Sequence, residues 1–267
     1  MAFEVADAYD RFMGRYSVPL APRFADFAGV VAGAHVTKAR SAHASTDRVL
    51  DVGCGPGALT AELVHRVGAP RVLAADPSAP FVAAARQRCP GVEVVQAGAE
   101  SLPWPDDTVE VALAQLVVHF MTDPVGGLRE MGRVTRPGGT VAACVWDLAG
   151  ASGPLSPFWA AVHDVAPDAP DESVRPGATE GDLGRLCVEA GLVVVDEGSV
   201  EVRVDHPSFA QWWEPYTLGV GPAGDFVAEA DAATVEAVRR RCLDRLGDPP
   251  APVRARAWAV RARVPGS

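Results

Sequence analysis

The chain has 267 residues, 48% hydrophobic and 22% charged, which excludes disorder and fibre and leaves ample material for a buried core. At roughly 150 residues per domain it holds fewer than two domains, so one α/β domain with elaborations is expected. With 24 Lys plus Arg against 34 Asp plus Glu, the net charge of −10 provides no basic field for a phosphate backbone, and nucleic acid is not expected as a partner.

In chain order, Met1 to Asp7 carries neither a cationic start nor an apolar run, and no stretch reaches the ~18 apolar residues of a membrane span. A cytoplasmic protein without membrane contact, monomeric or homodimeric, is the expectation. Residues 3 to 29 read as a helical segment rich in aromatics (Phe3, Tyr9, Phe12, Tyr16, Phe24, Phe27), and residues 33 to 46 as an irregular polar linker. The chain's one lysine, Lys38, falls in that linker. No Gly-Lys-Ser/Thr loop surrounds it, so a Walker-type nucleotide site is absent, and its polar neighbours offer no desolvation to activate a Schiff-base amine.

From residue 47 to 147 short apolar strands alternate with amphipathic helices, the pattern of a parallel sheet built from crossover units. Strands are predicted over residues 48–52, 71–75, 92–96, 109–118 and 140–146, nearly continuous in apolar residues as strands covered on both faces should be. Helices are predicted over 58–67, 79–89 and 125–134. Arg136-Pro137-Gly138-Gly139 cannot continue the third helix and is expected to turn the chain into the next strand. Beyond Trp146, residues 148 to 180 are rich in Gly, Pro and Ser around a short helix near 158–165. A helix over 182–190 leads into a strand over 192–204, and a helix over 234–246 precedes an alternating strand over 253–264, about seven strands in all. Cys54, Cys89, Cys144, Cys187 and Cys242 form no C-x-x-C pair and are odd in number, so reduced, mostly buried thiols are expected rather than disulfides or zinc.

Asp51-Val-Gly53-Cys-Gly55-Pro-Gly57 follows the first predicted strand and opens a helix, so it is a turn lined with backbone N–H groups and free of side-chain bulk. Asp76, 23 residues after Gly53 at the end of the second strand, can accept both hydroxyls of a ribose. Read as Gly53-x-Gly55-x-x-Ala58 the loop also fits a dinucleotide fingerprint, which keeps NAD as a rival. Against NAD stand Asp51, whose charge ahead of the turn suits a cationic ligand, and Pro56, which removes an amide a pyrophosphate would use.

At residues 51 to 57 the chain resembles the class I S-adenosylmethionine-dependent methyltransferases, whose motif D/E-x-G-x-G-x-G is matched at every fixed position. The resemblance runs over roughly residues 47 to 147. Residues 99–106 look like the segment after the third strand in the quinone-biosynthesis-like (methyltransferase type 11) group, where the chain passes the adenine. Residues 115–120 and 128–139 look like the next two motifs, and Tyr9 to Met13 like the N-terminal lid. The family commonly places an Asp before the alanine of the adenine segment; Gly98 stands there, leaving adenine to the Ala99 amide, Glu100 or apolar walls.

The resemblance implies a Rossmann-like, doubly wound seven-stranded α/β sheet, mostly parallel with an antiparallel last strand, with a helical N-terminal lid and a substrate cap. As one domain, residues 1–46 would form lid and linker, 47–147 the cofactor-binding core, and 148–267 the cap and closing strands. It implies S-adenosyl-L-methionine as cofactor and S-adenosyl-L-homocysteine as product, held by Tyr9, Asp51, Gly53, Gly55, Gly57, Asp76, Pro77, Ala99, Glu100 and Gln115.

Methyl transfer from a sulfonium is an in-line displacement, so holding a small-molecule acceptor about 3 Å from the methyl carbon supplies much of the acceleration. The acceptor atom, O, N or C, stays open. Should a base be needed, His119, just past the fourth strand, is the candidate, set against a buried histidine bonded to backbone. His163 and His206 are weaker candidates, and His35, His43 and His65 lie outside any expected site. Trp146, Trp159, Trp213 and Tyr216 are the candidate acceptor walls, set against simple packing of small helices. Asp147 has no neighbouring carboxylate pair, and no metal is assigned. The rival functions are an NAD-dependent oxidoreductase, which lacks a Tyr-x-x-x-Lys pair here, and a protein that binds S-adenosylmethionine without transferring its methyl.

Overall fold

The structure is a computed structural model that describes residues 2–31, 48–169 and 172–266, with side chains from residue 6 onward. The predicted linker, with Lys38, His35 and His43, lies outside the described residues. The chain opens with α1 (Ala2–Tyr9), a π-helical turn (Asp10–Gly14) and α2 (Arg15–Phe27). Then come β1 (Val49–Val52), α3 (Ala58–Val67), β2 (Val72–Asp76), α4 (Ala79–Arg88), β3 (Glu93–Gln96), β4 (Val109–Gln115), α5 (Pro124–Val134) and β5 (Thr135–Trp146). The second half holds α6 (Ser156–Val165), α7 (Asp182–Glu189), β6 (Val193–Val204), α8 (Phe209–Trp213), α9 (Gly221–Glu229), α10 (Ala232–Leu246) and β7 (Val253–Arg263).

The seven strands form one sheet in the order β3-β2-β1-β4-β5-β7-β6. β1 to β5 run parallel, and β7 lies antiparallel between β5 and β6. β1, β2 and β4 are buried along their whole length, which explains their unbroken apolar sequences. One face packs against α2, α3 and the helices after β5, through Tyr16, Phe24, Leu63, Leu113 and Trp212; the other packs against α5 and α7, through Leu73, Leu128, Met131 and Leu183. All five cysteines are buried and unpaired. Among the described residues no helix is long and apolar enough to cross a membrane.

Two elements depart from the sequence reading. Residues 136–139, expected as a turn, belong to β5: Thr135 sits opposite Val109 and Thr140 opposite Val111, so the Pro-Gly-Gly run bulges out of a ladder that Pro137 cannot join. The aromatic stretch after β6 is two helices joined by a 3-10 turn (Glu214–Leu218). α9 escaped detection because Gly221 and Gly224 weaken any helical signal. Gly224 is required there, since a Cβ would come within 2.7 Å of the Gly219 backbone.

Arg66 on α3 ties the N-terminal helices to the sheet. Its guanidinium donates to Glu62 (2.6 Å), to Asp26 (2.6 Å) and to the carbonyls of Pro22 (2.8 Å) and Val30. Replacing it strands those carbonyls and Glu62 without their donor. Arg66→Ala should therefore cost about 2–4 kcal/mol in urea unfolding; a loss within the scatter of an exposed arginine would show that α2 is held by apolar packing alone.

Candidate functional site

The site begins where β1 ends. Gly53, Gly55 and Gly57 all have positive φ (68°, 53° and 94°), a backbone only glycine adopts without strain. The amides of Gly53 and Cys54 both donate to the carbonyl of Ala75 (2.8 and 2.9 Å), pinning the loop to the end of β2. A Cβ on Gly53 would lie 2.5 Å from Val117 Cγ1 and Cγ2, whereas one on Gly55 would meet nothing within 4 Å. The first glycine closes the loop against β4's exit turn, and the second leaves bare backbone facing open space.

Asp76, the last residue of β2, accepts from the Gly55 amide through Oδ2 (2.8 Å) and from the Ser78 amide through Oδ1 (2.8 Å). Each oxygen keeps a further lone pair for a ligand hydroxyl. Burial raises its pKa, with the two amide bonds opposing. Asp51, inside β1, accepts from Thr60 Oγ1 (2.6 Å), and burial pushes its pKa up to about 7, with the Thr60 bond opposing and the charge of Asp76 adding to the rise.

A cavity of about 760 Å³ lies over the carboxyl ends of β1, β2 and β4, lined by Gly53, Gly55, Asp76, Pro77, Gln115 and Phe81. Ala8 and Tyr9 from the N-terminal segment and Leu218 to Gly221 from the turn ahead of α9 complete its lining. Tyr9 packs on Phe81 of α4 (ring centroids 5.1 Å), and Asp10 ion-pairs with Arg88 of the same helix. Burial, with Asp76 nearby, pushes the Tyr9 hydroxyl up to about 12, so it stays protonated. Gln115 ends β4: its Nε2 donates to the Ser17 carbonyl of α2 (3.1 Å), while its buried Oε1 has no partner. Asp51 lines a smaller pocket beneath, shared with Gly53, Gly55 and Gln115.

A second cavity of about 70 Å³ adjoins the first, sharing Tyr9, Leu116, Phe120, Val220 and Gly221. Its far wall holds His119, Trp146 and Glu172. His119 sits in a 3-10 turn (Val118–Phe120) reached through Leu116, a non-glycine residue at φ 63° held by a bond from its amide to the Cys144 carbonyl (2.8 Å). Burial, reinforced by Arg175, depresses the His119 pKa to about 3, so the ring is neutral.

Several expected residues lie elsewhere. Ala99 packs in the core, and Glu100 accepts from the Thr122 and Asp123 amides (2.9 and 3.4 Å) ahead of α5; neither lines the cavities. Gly57 starts α3 and lies against Ala85 of α4. Trp213 and Tyr216 belong to an aromatic cluster in which Tyr216 stacks on Phe158 (4.6 Å), while Trp159 borders a separate pocket with His163. His206 bonds Tyr16 Oη (3.3 Å). Conversely, Phe81, the Leu116–Val117 turn, Glu172 and the Leu218–Gly221 segment were not singled out from sequence. Leu116-Val117 reads as β-prone, and Glu172 stands in a stretch with no periodicity.

Residues 50–143 match a family described as a methyltransferase domain. The malonyl-[acyl-carrier protein] O-methyltransferase of Halorhodospira halophila is 33% identical over 171 residues, 60% of this chain and 54% of that protein. The trans-aconitate 2-methyltransferase of Azoarcus sp. is 41% identical over 95 residues, 35% of this chain and 37% of that protein. The alignments thus take in about half or less of these relatives' own lengths. Among solved structures, a Bacillus halodurans protein assigned as a methyltransferase superposes with a TM-score of 0.55 at 18% identity, covering 92% of this chain and 98% of that one.

Asp51 gives the site a signature in pH. A carboxyl that keeps its proton to about pH 7 when folded, but only to roughly pH 4 when unfolded, opposes folding once ionised. Its contribution to stability therefore falls as pH rises through that window. Asp51→Asn should lose this slope, so that urea unfolding of the variant gains on the parent chain between pH 5 and pH 8. Parallel pH profiles would show that Asp51 ionises normally.

Proposed function

The chain carries a class I S-adenosylmethionine-dependent methyltransferase domain, and from that premise we propose that it methylates a small-molecule acceptor with S-adenosylmethionine as donor. The observation that carries the proposal is the pairing of two cavities that share a wall, one floored by bare glycine backbone and Asp76, the other bordered by His119 and Trp146.

The residues fit the cofactor. The open space over Gly55 admits a ligand against the main chain, Asp76 has lone pairs for ribose hydroxyls, and the orphaned Gln115 Oε1 beside Asp51 suits the ammonium of an amino-acid tail. A bound cation would also draw the Asp51 proton off. When bound, the cofactor supplies an electrophilic methyl group. Tyr9 and Phe81 supply apolar walls that exclude water, and Leu116 and Phe120 border both cavities, where they set the approach of the acceptor. His119 stays neutral and offers Nδ1 as a hydrogen-bond partner; an environment that opposes its protonation favours positioning over storing a proton.

In this reading the whole chain works as one unit, residues 47–147 holding the cofactor while residues 1–46 and 148–267 provide lid and cap. The acceptor is a free small molecule, and the protein acts in the cytoplasm as a monomer or homodimer. The departure at residues 98–100 leaves adenine to apolar walls, since Glu100 is already engaged.

Asp76→Ala should weaken S-adenosylhomocysteine binding, read by calorimetry, by ~1.5–3 kcal/mol through loss of the charge-assisted ribose bonds. Asp76→Asn, which can still accept from the Gly55 amide, separates ribose binding from loop support. Unchanged affinity in both, or binding of NAD in place of the homocysteine product, would remove Asp76 from the role given it.

A further inference from the structure

Asp51 is almost wholly buried (1% exposed), yet it borders the pocket of about 30 Å³ beneath the glycine loop. That volume holds one water-sized group, and an ammonium is such a group. Gln115 borders the same pocket: its Nε2 is spent on the Ser17 carbonyl, so the end left over is Oε1, which has no partner. No Lys, Arg or His lines this space, which sets a carboxylate and an orphaned acceptor side by side.

Thr60 stands behind that wall. It is fully buried, borders none of the cavities described above, and donates from Oγ1 to Asp51 Oδ2 (2.6 Å). A threonine inside a helix often turns its hydroxyl back on a carbonyl one turn earlier. Thr60, in the first turn of α3, instead reaches nine residues back to β1. A hydroxyl has one proton to give, and here it goes to the carboxylate. The bond occupies one oxygen of Asp51 and fixes the plane of the group. It also favours the ionised form, because a carboxylate gains more from a donor than a carboxylic acid does.

The other groups facing Asp51 do not help it ionise. Asp76, at the end of β2, adds a like charge, and burial adds more. Cys54 in the loop, Cys89 after α4 and Tyr9 across the pocket are raised by burial and stay neutral. Against burial and Asp76, it is Thr60 that holds the Asp51 pKa down to about 7.

Resting on the methyltransferase reading above, we propose that Thr60 is a positioning residue for the cofactor: it holds the Asp51 carboxylate in place, and in its charged form, for the ammonium of the cofactor's amino-acid tail.

A role in packing alone would affect every ligand of the site equally. The role proposed affects only ligands that carry the ammonium, and it moves the pH at which they bind. The test uses the full chain and two probes, by calorimetry from roughly pH 5.5 to 8.5. S-adenosylhomocysteine carries the amino-acid tail; 5′-methylthioadenosine shares its adenosine and thioether but lacks that tail. The ratio of the two affinities isolates the tail, since ribose contacts at Asp76 are common to both. In the parent chain this ratio should rise with pH through about 7, as Asp51 gains the charge that meets the ammonium.

Thr60→Val keeps the β-branched shape and removes the donor. At about pH 7 it should weaken S-adenosylhomocysteine about tenfold, leave 5′-methylthioadenosine within about twofold, and move the rise up by about one pH unit. Thr60→Ser, which restores the donor, should return both affinities to within about threefold of the parent chain. In Asp51→Asn the rise should vanish, and Thr60→Val added to it should have no further effect on the ratio. Should the valine variant not fold, Thr60→Ala carries the same expectations. Equal losses for both probes, no loss for either, or a rise that stays at the parent pH would overturn the proposal. If neither probe binds the parent chain, the methyltransferase reading itself fails; if both bind and their ratio ignores Thr60, only the positioning role does.

Discussion

Everything at the ligand edge depends on how the glycine loop is tied to the end of β2. The Ala75 carbonyl takes the Gly53 and Cys54 amides, and the next side chain, Asp76, takes the Gly55 amide. Three consecutive loop amides are thereby fixed by two consecutive residues of the neighbouring strand. The loop is rigid without side chains of its own, and the carboxylate that holds it also presents free lone pairs to the cavity. Because β1 and β2 are parallel and in register, Val52 beside Ala75, this tie follows from the crossover topology.

The same economy runs through the rest of the site. β4 exits into a turn that closes on Gly53 through Val117, strains Leu116 to a positive φ and delivers His119 to the wall of the smaller cavity. Gln115 links this strand to α2, so that helix and the sheet share a side chain whose second polar atom has no protein partner. Burial then sets the protonation states: Asp51 is carried close to neutrality, Tyr9 keeps its proton, and His119 is held without one.

What was legible in the sequence was the part fixed by backbone. Gly53, Gly55 and Asp76 stand at positions where strand-to-helix geometry demands their residue types, and they line the cavity. The order of strands and helices from β1 to β5 follows from apolar runs broken at glycine and proline. What stayed hidden depends on tertiary partners. Glu100 has the right sequence neighbours but spends its carboxylate on the start of α5. Trp213 and Tyr216, candidate acceptor walls by sequence, pack on Phe158 and Trp212. Glu172 reaches the wall of the smaller cavity from a stretch without periodicity, and no local rule marks it.

The most direct measurement is a crystal structure of the chain grown with S-adenosylhomocysteine. The account predicts ribose hydroxyls within about 3 Å of the Asp76 carboxylate, and a donor from the amino-acid end within about 3 Å of Gln115 Oε1, with the glycine loop unmoved. A ligand bound away from this loop, or a loop that must rebuild to admit it, would contradict the account.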